Sequence, residues 1–341
     1  MKINVKSEGT KKWIELDGRL DTTAAPELTA AFEKEIQSDV KELEIDMANC
    51  GYVASSGLRV ILQAQKSMNR IGGKMVVKNV NDVVSKNQKN WDEYSNAYLR
   101  FKHADKIISG IVNDPSRAFE KGTWKQIQKY MGELKGKKVC VPSSGDQYAV
   151  FAFALMGAEV TSCDISGEQL LAGEKMAQKL GLKIRFVQAD TMRLDGIEDG
   201  EYDLVYTSNG VHVWLNDLQG MYRNVKRILK DGGVYVMCDV HPFQRPFGDD
   251  LKVVKPYSDV GPYEDEYNIT FTWRVQDIVN AMAESGLRLM HMEEMHDEKD
   301  YEYPFWLSLE DAVNGVKVEA AEVDRMYDWR QNPAMALPQW L

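Results

Sequence analysis

The residues of this 341-residue chain most suited to chemistry lie in short polar clusters that follow apolar runs. The first is Ser143, Ser144 and Gly145 in VCVPSSGDQ (139–147). Small side chains and a glycine there let the backbone approach a nucleotide-type cofactor closely. About 20 residues on, VTSCDIS (160–166) ends its run at Asp164, followed by Ile165. A carboxylate at that spacing can accept hydrogen bonds from both hydroxyls of a ribose. FVQADTM (186–192) then brings Asp190, Thr191 and Met192, an acid for an adenine amino group and a thioether to pack on its ring. YDLVYTSNGVHVW (202–214) adds Ser208, Asn209 and His212, and His241 begins HPFQRPF (241–247). Histidine is the side chain whose unperturbed pKa suits proton abstraction from a hydroxyl, amine or thiol near neutral pH, so His212 and His241 are candidate bases. An orienting or purely structural role is the alternative for each.

These clusters need a scaffold that presents them together. The runs Val139–Pro142, Val160–Asp164, Ile184–Val187, Leu204–Thr207 and Val234–Asp239 alternate with helical spacing, which predicts a parallel sheet covered on both faces, a doubly wound α/β domain. Such sheets bind ligands beyond the carboxyl ends of their strands, where the clusters fall. A helix carrying Trp91, Tyr94, Tyr98 and Phe101 precedes the sheet. It is expected either to cover the cofactor, with Tyr98 touching it, or to pack as ordinary core. HPFQRPF with Tyr257, Tyr263 and Trp273 reads as a substrate lid, since aromatic walls suit organic molecules.

Residues 1–84 follow another pattern. Strands are expected at Ile3–Lys6, Trp13–Leu16, Leu43–Asp46 and Met75–Lys78, and helices at Pro26–Ile36 and Ser56–Ile71. Leu28, Phe32 and Ile36 recur every four residues, as one buried helical face requires. Gly72-Gly73 closes the second helix, because glycine tolerates the left-handed C-cap.

GRLDTTAAPEL (18–28), LEIDMANCGYVASSGLRVI (43–61) and GGKMVVKNV (72–80) resemble the STAS family of anti-sigma factor antagonist domains. That resemblance implies a regulatory domain that engages a protein partner or kinase, and it places the family's phosphorylatable serine at Ser56. A helix N-terminus would stabilise a phosphate there, although Ser55 or Ser56 could equally serve as a simple N-cap. Ala54 stands where the family often has an acid.

Within an expected domain of residues 85–341, the stretch from about Asn87 to Leu309 resembles class I S-adenosylmethionine-dependent methyltransferases, near the ubiquinone/menaquinone branch. The resemblance implies S-adenosylmethionine as cofactor and a small-molecule methyl acceptor. Asp164 would hold the ribose, Asp190 and Met192 the adenine, and Ser143–Gly145 the methionine portion, while Ser208 and Asn209 would wall the sulfonium. It also implies that Leu287–Met295 and Pro304–Leu309, after a helix over Val275–Ser285, pair as a C-terminal antiparallel hairpin. The chain departs from the family in carrying Val141 where the first strand usually has an acid, and in keeping only Gly145 of a three-glycine loop. A sensor that binds the cofactor and acts through its STAS domain therefore stands beside the enzyme reading. The pattern G-x-G-x-x-G, which would favour a dinucleotide, is absent.

Charge narrows the partners. Net charge is −10; residues 1–84 hold 12 basic and 12 acidic side chains, so the whole excess falls on 85–341. A phosphate backbone is repelled there, which argues against nucleic acid. No apolar run reaches the roughly 18 residues of a membrane helix and no leader pattern is visible, so a cytoplasmic protein without membrane insertion is expected.

Overall fold

The computed structural model describes residues 1–341 except 54, 79–82, 249–250, 298, 302–303 and 305. The chain divides into two compact units, Met1–Val83 and Val84–Leu341. In the first, β1 (Lys2–Glu8), β2 (Lys11–Leu20), α1 (Ala25–Glu35), β3 (Glu42–Val53), α2 (Ser55–Arg70) and β4 (Lys74–Lys78) follow in order. The strands form one sheet, β1-β2-β3-β4, antiparallel at its first pair and parallel at the other two. Ile14, Leu16, Leu43 and Ile45 from the strands meet Leu28, Phe32 and Met68 from the helices in a closed core. The four-residue spacing of Leu28 and Phe32 thus reports a buried helix face.

The second unit opens with α3 (Val83–Lys102), α4 (Asp105–Asn113) and α5 (Lys121–Met131). It continues as β5 (Lys138–Val141), α6 (Tyr148–Leu155), β6 (Glu159–Asp164), α7 (Gly167–Leu180), β7 (Ile184–Gln188), β8 (Tyr202–Ser208), α8 (Leu218–Ile228) and β9 (Leu229–Cys238). The five strands are parallel in the order β7-β6-β5-β8-β9. Side chains alternate between the two faces, as strand geometry requires. Val139, Val141, Leu204 and Tyr206 pack with Val150 and Phe153 of α6, whereas Cys140 and Val205 pack with Met221, Tyr222 and Val225 of α8. Burial on both faces explains why these strands are apolar throughout. All four cysteines are buried and unbridged. Among the described residues no helix is long and apolar enough to cross a membrane.

Beyond β9 come a short pair, β10 (Tyr263–Glu264) and β11 (Ile269–Thr270), then α9 (Val275–Glu284), α10 (Leu309–Asn314) and α11 (Ala320–Met326). The hairpin expected of Leu287–Met295 and Pro304–Leu309 is not formed among the described residues, and residue 305 lies outside them. Only the ends of the first segment are held: Leu287 packs on the core, Leu289, Met290 and Met292 are exposed, and Met295 bridges to Trp340. The tail takes up the end of that segment instead: the Met295 N–H donates to the Trp340 carbonyl and the Gln339 N–H to the Met295 carbonyl, both at 2.9 Å.

Ser56 lies in the first turn of α2, and its hydroxyl is buried with no hydrogen-bond partner among the described residues. Among the described residues that hydroxyl therefore caps no backbone N–H. A working cap costs about 0.5–2 kcal/mol when replaced by alanine, whereas an orphaned buried hydroxyl is itself a penalty of about 1–3 kcal/mol. Ser56→Ala should therefore leave the urea midpoint of the full chain unchanged or raise it. A fall of about 1 kcal/mol would mean that the hydroxyl is bonded after all.

Candidate functional site

Each strand of the second unit hands its cluster to the same end of the sheet. Ser143 to Gly145 follow β5, Asp164 ends β6, Asp190 to Met192 follow β7, and Asn209 follows Ser208 at the end of β8. All of them, with Ile165, line one cavity of about 810 Å³, counting the space open to solvent. Trp91 and Tyr98 of α3 form another wall, with Trp214 edge-on to Trp91 at 5.3 Å and Tyr98 at 5.6 Å from it. Tyr94 is largely exposed, and Phe101 does not line the cavity.

Asp164 organises this end of the sheet. It is 7% exposed; its Oδ2 accepts the Gly145 N–H at 3.1 Å and its Oδ1 the Ser166 N–H at 3.0 Å. A carboxylate offers about four acceptor positions, so capacity remains toward the cavity. Burial pushes its carboxyl above the ordinary aspartate range, opposed by those N–H groups. Asp190 is raised too, chiefly by burial, while its Oδ1 accepts the Met192 N–H at 2.8 Å.

The β5 loop keeps its course with one glycine. Ser143 and Gly145 both adopt left-handed backbone, φ 49° each, a conformation that costs a non-glycine residue about 1–3 kcal/mol. A 2.7 Å bond between the Ser143 and Thr191 hydroxyls holds Ser143 there. Tyr98 is driven far above its normal range by burial and by Asp146 and Asp164, so its hydroxyl stays protonated.

Eight lining residues escaped the sequence reading: apolar or glycine positions Val84, Gly210, Val211 and Leu215, and the four that follow. Asn87 sits in α3 and holds the Ile269 backbone through both its amide groups at 2.9 Å. Asp146 caps the Tyr148 N–H at 3.1 Å, Trp214 belongs to the loop already singled out for His212, and Gln169 lies on α7. The side-chain Nε2 of Gln169 is buried with no partner among the described residues. A buried donor without a partner in a cavity wall is what a polar ligand would satisfy.

The two histidines are placed otherwise than expected, since neither lines the cavity. His212 is 5% exposed, its Nδ1 3.0 Å from Asp239 and its Nε2 2.7 Å from the Tyr222 hydroxyl. A carboxylate can only accept, so Nδ1–H donates to Asp239 and Nε2 is left for the phenol proton. Burial raises Asp239, but His212 and the backbone N–H groups of His212 and Val240 outweigh it and hold the carboxyl below the ordinary range. His241 is 2% exposed; its Nδ1 accepts the Phe243 N–H at 3.1 Å and its Nε2 lies 2.9 Å from Glu294. With both ring nitrogens engaged inside the protein, neither can serve as a base toward a ligand in the cavity. The lid expected of 241–247 and Tyr257 forms an aromatic cluster, Phe243 meeting Phe247 at 5.9 Å and Tyr257 at 6.0 Å, while Trp273 stacks on Phe271 and donates to Leu215.

Comparison with known proteins gives both units a family. Residues 2–90 match the STAS domain family, and residues 142–237 match a family described as a methyltransferase domain. A sterol 24-C-methyltransferase of Gibberella zeae is 28% identical over 161 residues, covering 45% of this chain and 40% of its own length. One from Aspergillus fumigatus is 26% identical over 150 residues, 42% of this chain and 37% of its own. The chain thus spans well under half the length of these relatives. An S-adenosylmethionine-dependent methyltransferase structure from Mesorhizobium loti superposes with a TM-score of 0.46 at 18% identity, over 64% of this chain and 94% of its own.

The buried His212 arrangement sets a test. Tyr222→Phe strips Nε2 of its donor and should cost about 1–3 kcal/mol in urea unfolding. An unchanged midpoint would free His212 from a structural role.

Proposed function

The chain joins a STAS domain to a methyltransferase domain, and from that premise we propose that residues 84–341 bind S-adenosylmethionine around Asp164 and transfer its methyl group to a small-molecule acceptor. When bound, the cofactor supplies a methyl carbon on a sulfonium, which an acceptor lone pair takes while the carbon–sulfur pair stays on sulfur. The observation that carries the proposal is the buried Asp164 carboxylate at the end of β6, with acceptor capacity toward the cavity that the ends of β5, β6, β7 and β8 line together. The orphaned Gln169 amide and the left-handed Ser143 and Gly145, which bare the backbone, fit the same occupant.

In this reading Asp164 accepts the ribose hydroxyls, and Asp190 with Thr191 and Met192 borders the adenine. Ser143, Ser144 and Gly145 meet the amino-acid portion, while Ile165 adds apolar wall. Ser208 and Asn209 flank the reacting centre, and Trp91, Tyr98 and Trp214 shut water out. No histidine stands among the described lining residues. What this wall supplies is alignment and dryness, the main demands of an in-line displacement. The STAS unit is assigned to a regulatory protein partner, and the surplus acid of the second unit argues for a small acceptor over nucleic acid.

Asp164→Asn tests the proposal. Charged hydrogen bonds of this type are worth about 1.5–3 kcal/mol, and 1.4 kcal/mol is tenfold, so S-adenosylmethionine should bind at least about tenfold more weakly by calorimetry. Because the folded carboxyl titrates above the ~3.9 of free aspartate, wild-type affinity should fall on acidification already above that pH. The asparagine variant should lose that dependence on Asp164. Equal affinity in the two proteins would contradict the assignment.

A further inference from the structure

A second cavity lies on the other side of the 209–215 loop. Gly210, Val211, Trp214 and Leu215 line the first cavity, and Val213 lines the second. At about 3.3–3.6 Å per residue, the α-carbons of Val211 and Val213 are at most roughly 7 Å apart, so neighbouring residues of one loop border both spaces. The other walls are Val240, Gln244, Arg245, Phe247, Lys255 and Tyr263, closed by Thr270 and Thr272.

Its two cations differ from the many in this acidic unit that are ion-paired. Lys102, Lys138, Lys230, Arg185, Arg227 and Arg274 all have carboxylate partners within 4 Å. Arg245 and Lys255 are half-buried and have no ion pair or hydrogen bond from their charged groups to any described residue. The acids that act on them are committed elsewhere. Asp239 holds His212 and the Val240 N–H, and Asp259 Oδ1 takes the Gly261 N–H at 3.3 Å. Burial first, and then the Arg245 charge, lower Lys255, so the two cations feel one another. Lys255 Nζ rests 3.8 Å from the centre of the Tyr263 ring, an aromatic contact that holds the ammonium in place without neutralising it. The neutral polar groups are spoken for: Gln244 donates to Pro338, Thr272 to the Asp259 carbonyl, and the Tyr263 hydroxyl to the same carbonyl.

Two half-buried cations in one pocket with no ion pair to any described residue are left uncompensated there, and an anion between them would lower the free energy of the protein. The surrounding Val213, Val240 and Phe247 suit an apolar body behind that anion. We propose that this pocket binds the acid group, a carboxylate or phosphate ester, of an apolar-bodied methyl acceptor, with Arg245 and Lys255 as its two cations. The inference rests on the methyltransferase reading for the word acceptor and on the pocket alone for the anion. Arg245 can bind either acid through two parallel N–H bonds, whereas Lys255 contributes a point charge.

The full-length protein is titrated with benzoate, phenyl phosphate and the neutral benzyl alcohol by ligand-observed NMR. At least one acid should bind at least tenfold more tightly than the alcohol, more weakly at high salt, and the tighter of the two names the acid. Arg245→Gln and Lys255→Gln should each weaken that acid about tenfold while S-adenosylmethionine affinity stays within twofold. Asp164→Asn should do the reverse. Alcohol binding as tight as the acids, or acid binding untouched in both variants, overturns the proposal. Normal acid binding in a protein that does not take S-adenosylmethionine would leave the anion pocket standing and remove the methyltransferase reading.

Discussion

The geometry of the cavity depends on one carboxylate receiving two backbone N–H groups from different loops. Asp164 takes Gly145 from the loop after β5 and Ser166 from the start of α7, so two connections that the sheet merely brings near are fixed to a single group. Burying that group is unfavourable, as its raised carboxyl shows, and only further donors can offset the cost. The cavity beside it is where those donors would come from. The same loop carries left-handed Ser143, whose strain is balanced by Thr191 from the next connection. Loops after β5, β6 and β7 are thereby locked to one another before any ligand arrives, which is the condition for binding without a large ordering cost.

A second constraint separates rigidity from recognition. The loop after β8 is held from behind by the buried set of His212, Asp239 and Tyr222. Asp239 is in turn bonded through its backbone to Leu341. None of the three lines either cavity, while the 209–215 loop they hold borders both as a partition. On one side acids dominate, Asp164 and Asp190. On the other stand Arg245 and Lys255. Opposite local charges across one partition give two ligands of different character distinct places, which a cofactor and an acceptor require.

The sheet was legible because burial on both faces writes itself into the strands. Runs such as Val139–Val141 and Leu204–Thr207 have no polar alternation, and the clusters that follow them fall at the carboxyl ends by topology alone. Direction of a side chain is not written that way. His212 follows its strand as a base would, yet its ring turns toward Tyr222 in α8, a partner ten residues later that no local spacing reveals. Leu287–Met295 looks like a strand because its apolar residues are frequent, but its contact at Met295 is with Trp340, and pairing at that separation leaves no trace in a local period. Asn87 was missed because a single polar residue inside a helix carries no signal until its partner, the Ile269 backbone, is in view. Arg245 stood in a segment singled out for its aromatics; that no described residue pairs with it is visible only in three dimensions.

The central claim is that the cavity around Asp164 takes S-adenosylmethionine, and calorimetric titration of the wild-type chain with S-adenosylmethionine and, separately, with NAD tests it most directly. The structure, with an acid at the β6 end and no G-x-G-x-x-G turn, predicts saturable one-to-one binding of S-adenosylmethionine and a clear preference for it over NAD. Tighter binding of NAD, or no heat with S-adenosylmethionine, would contradict it.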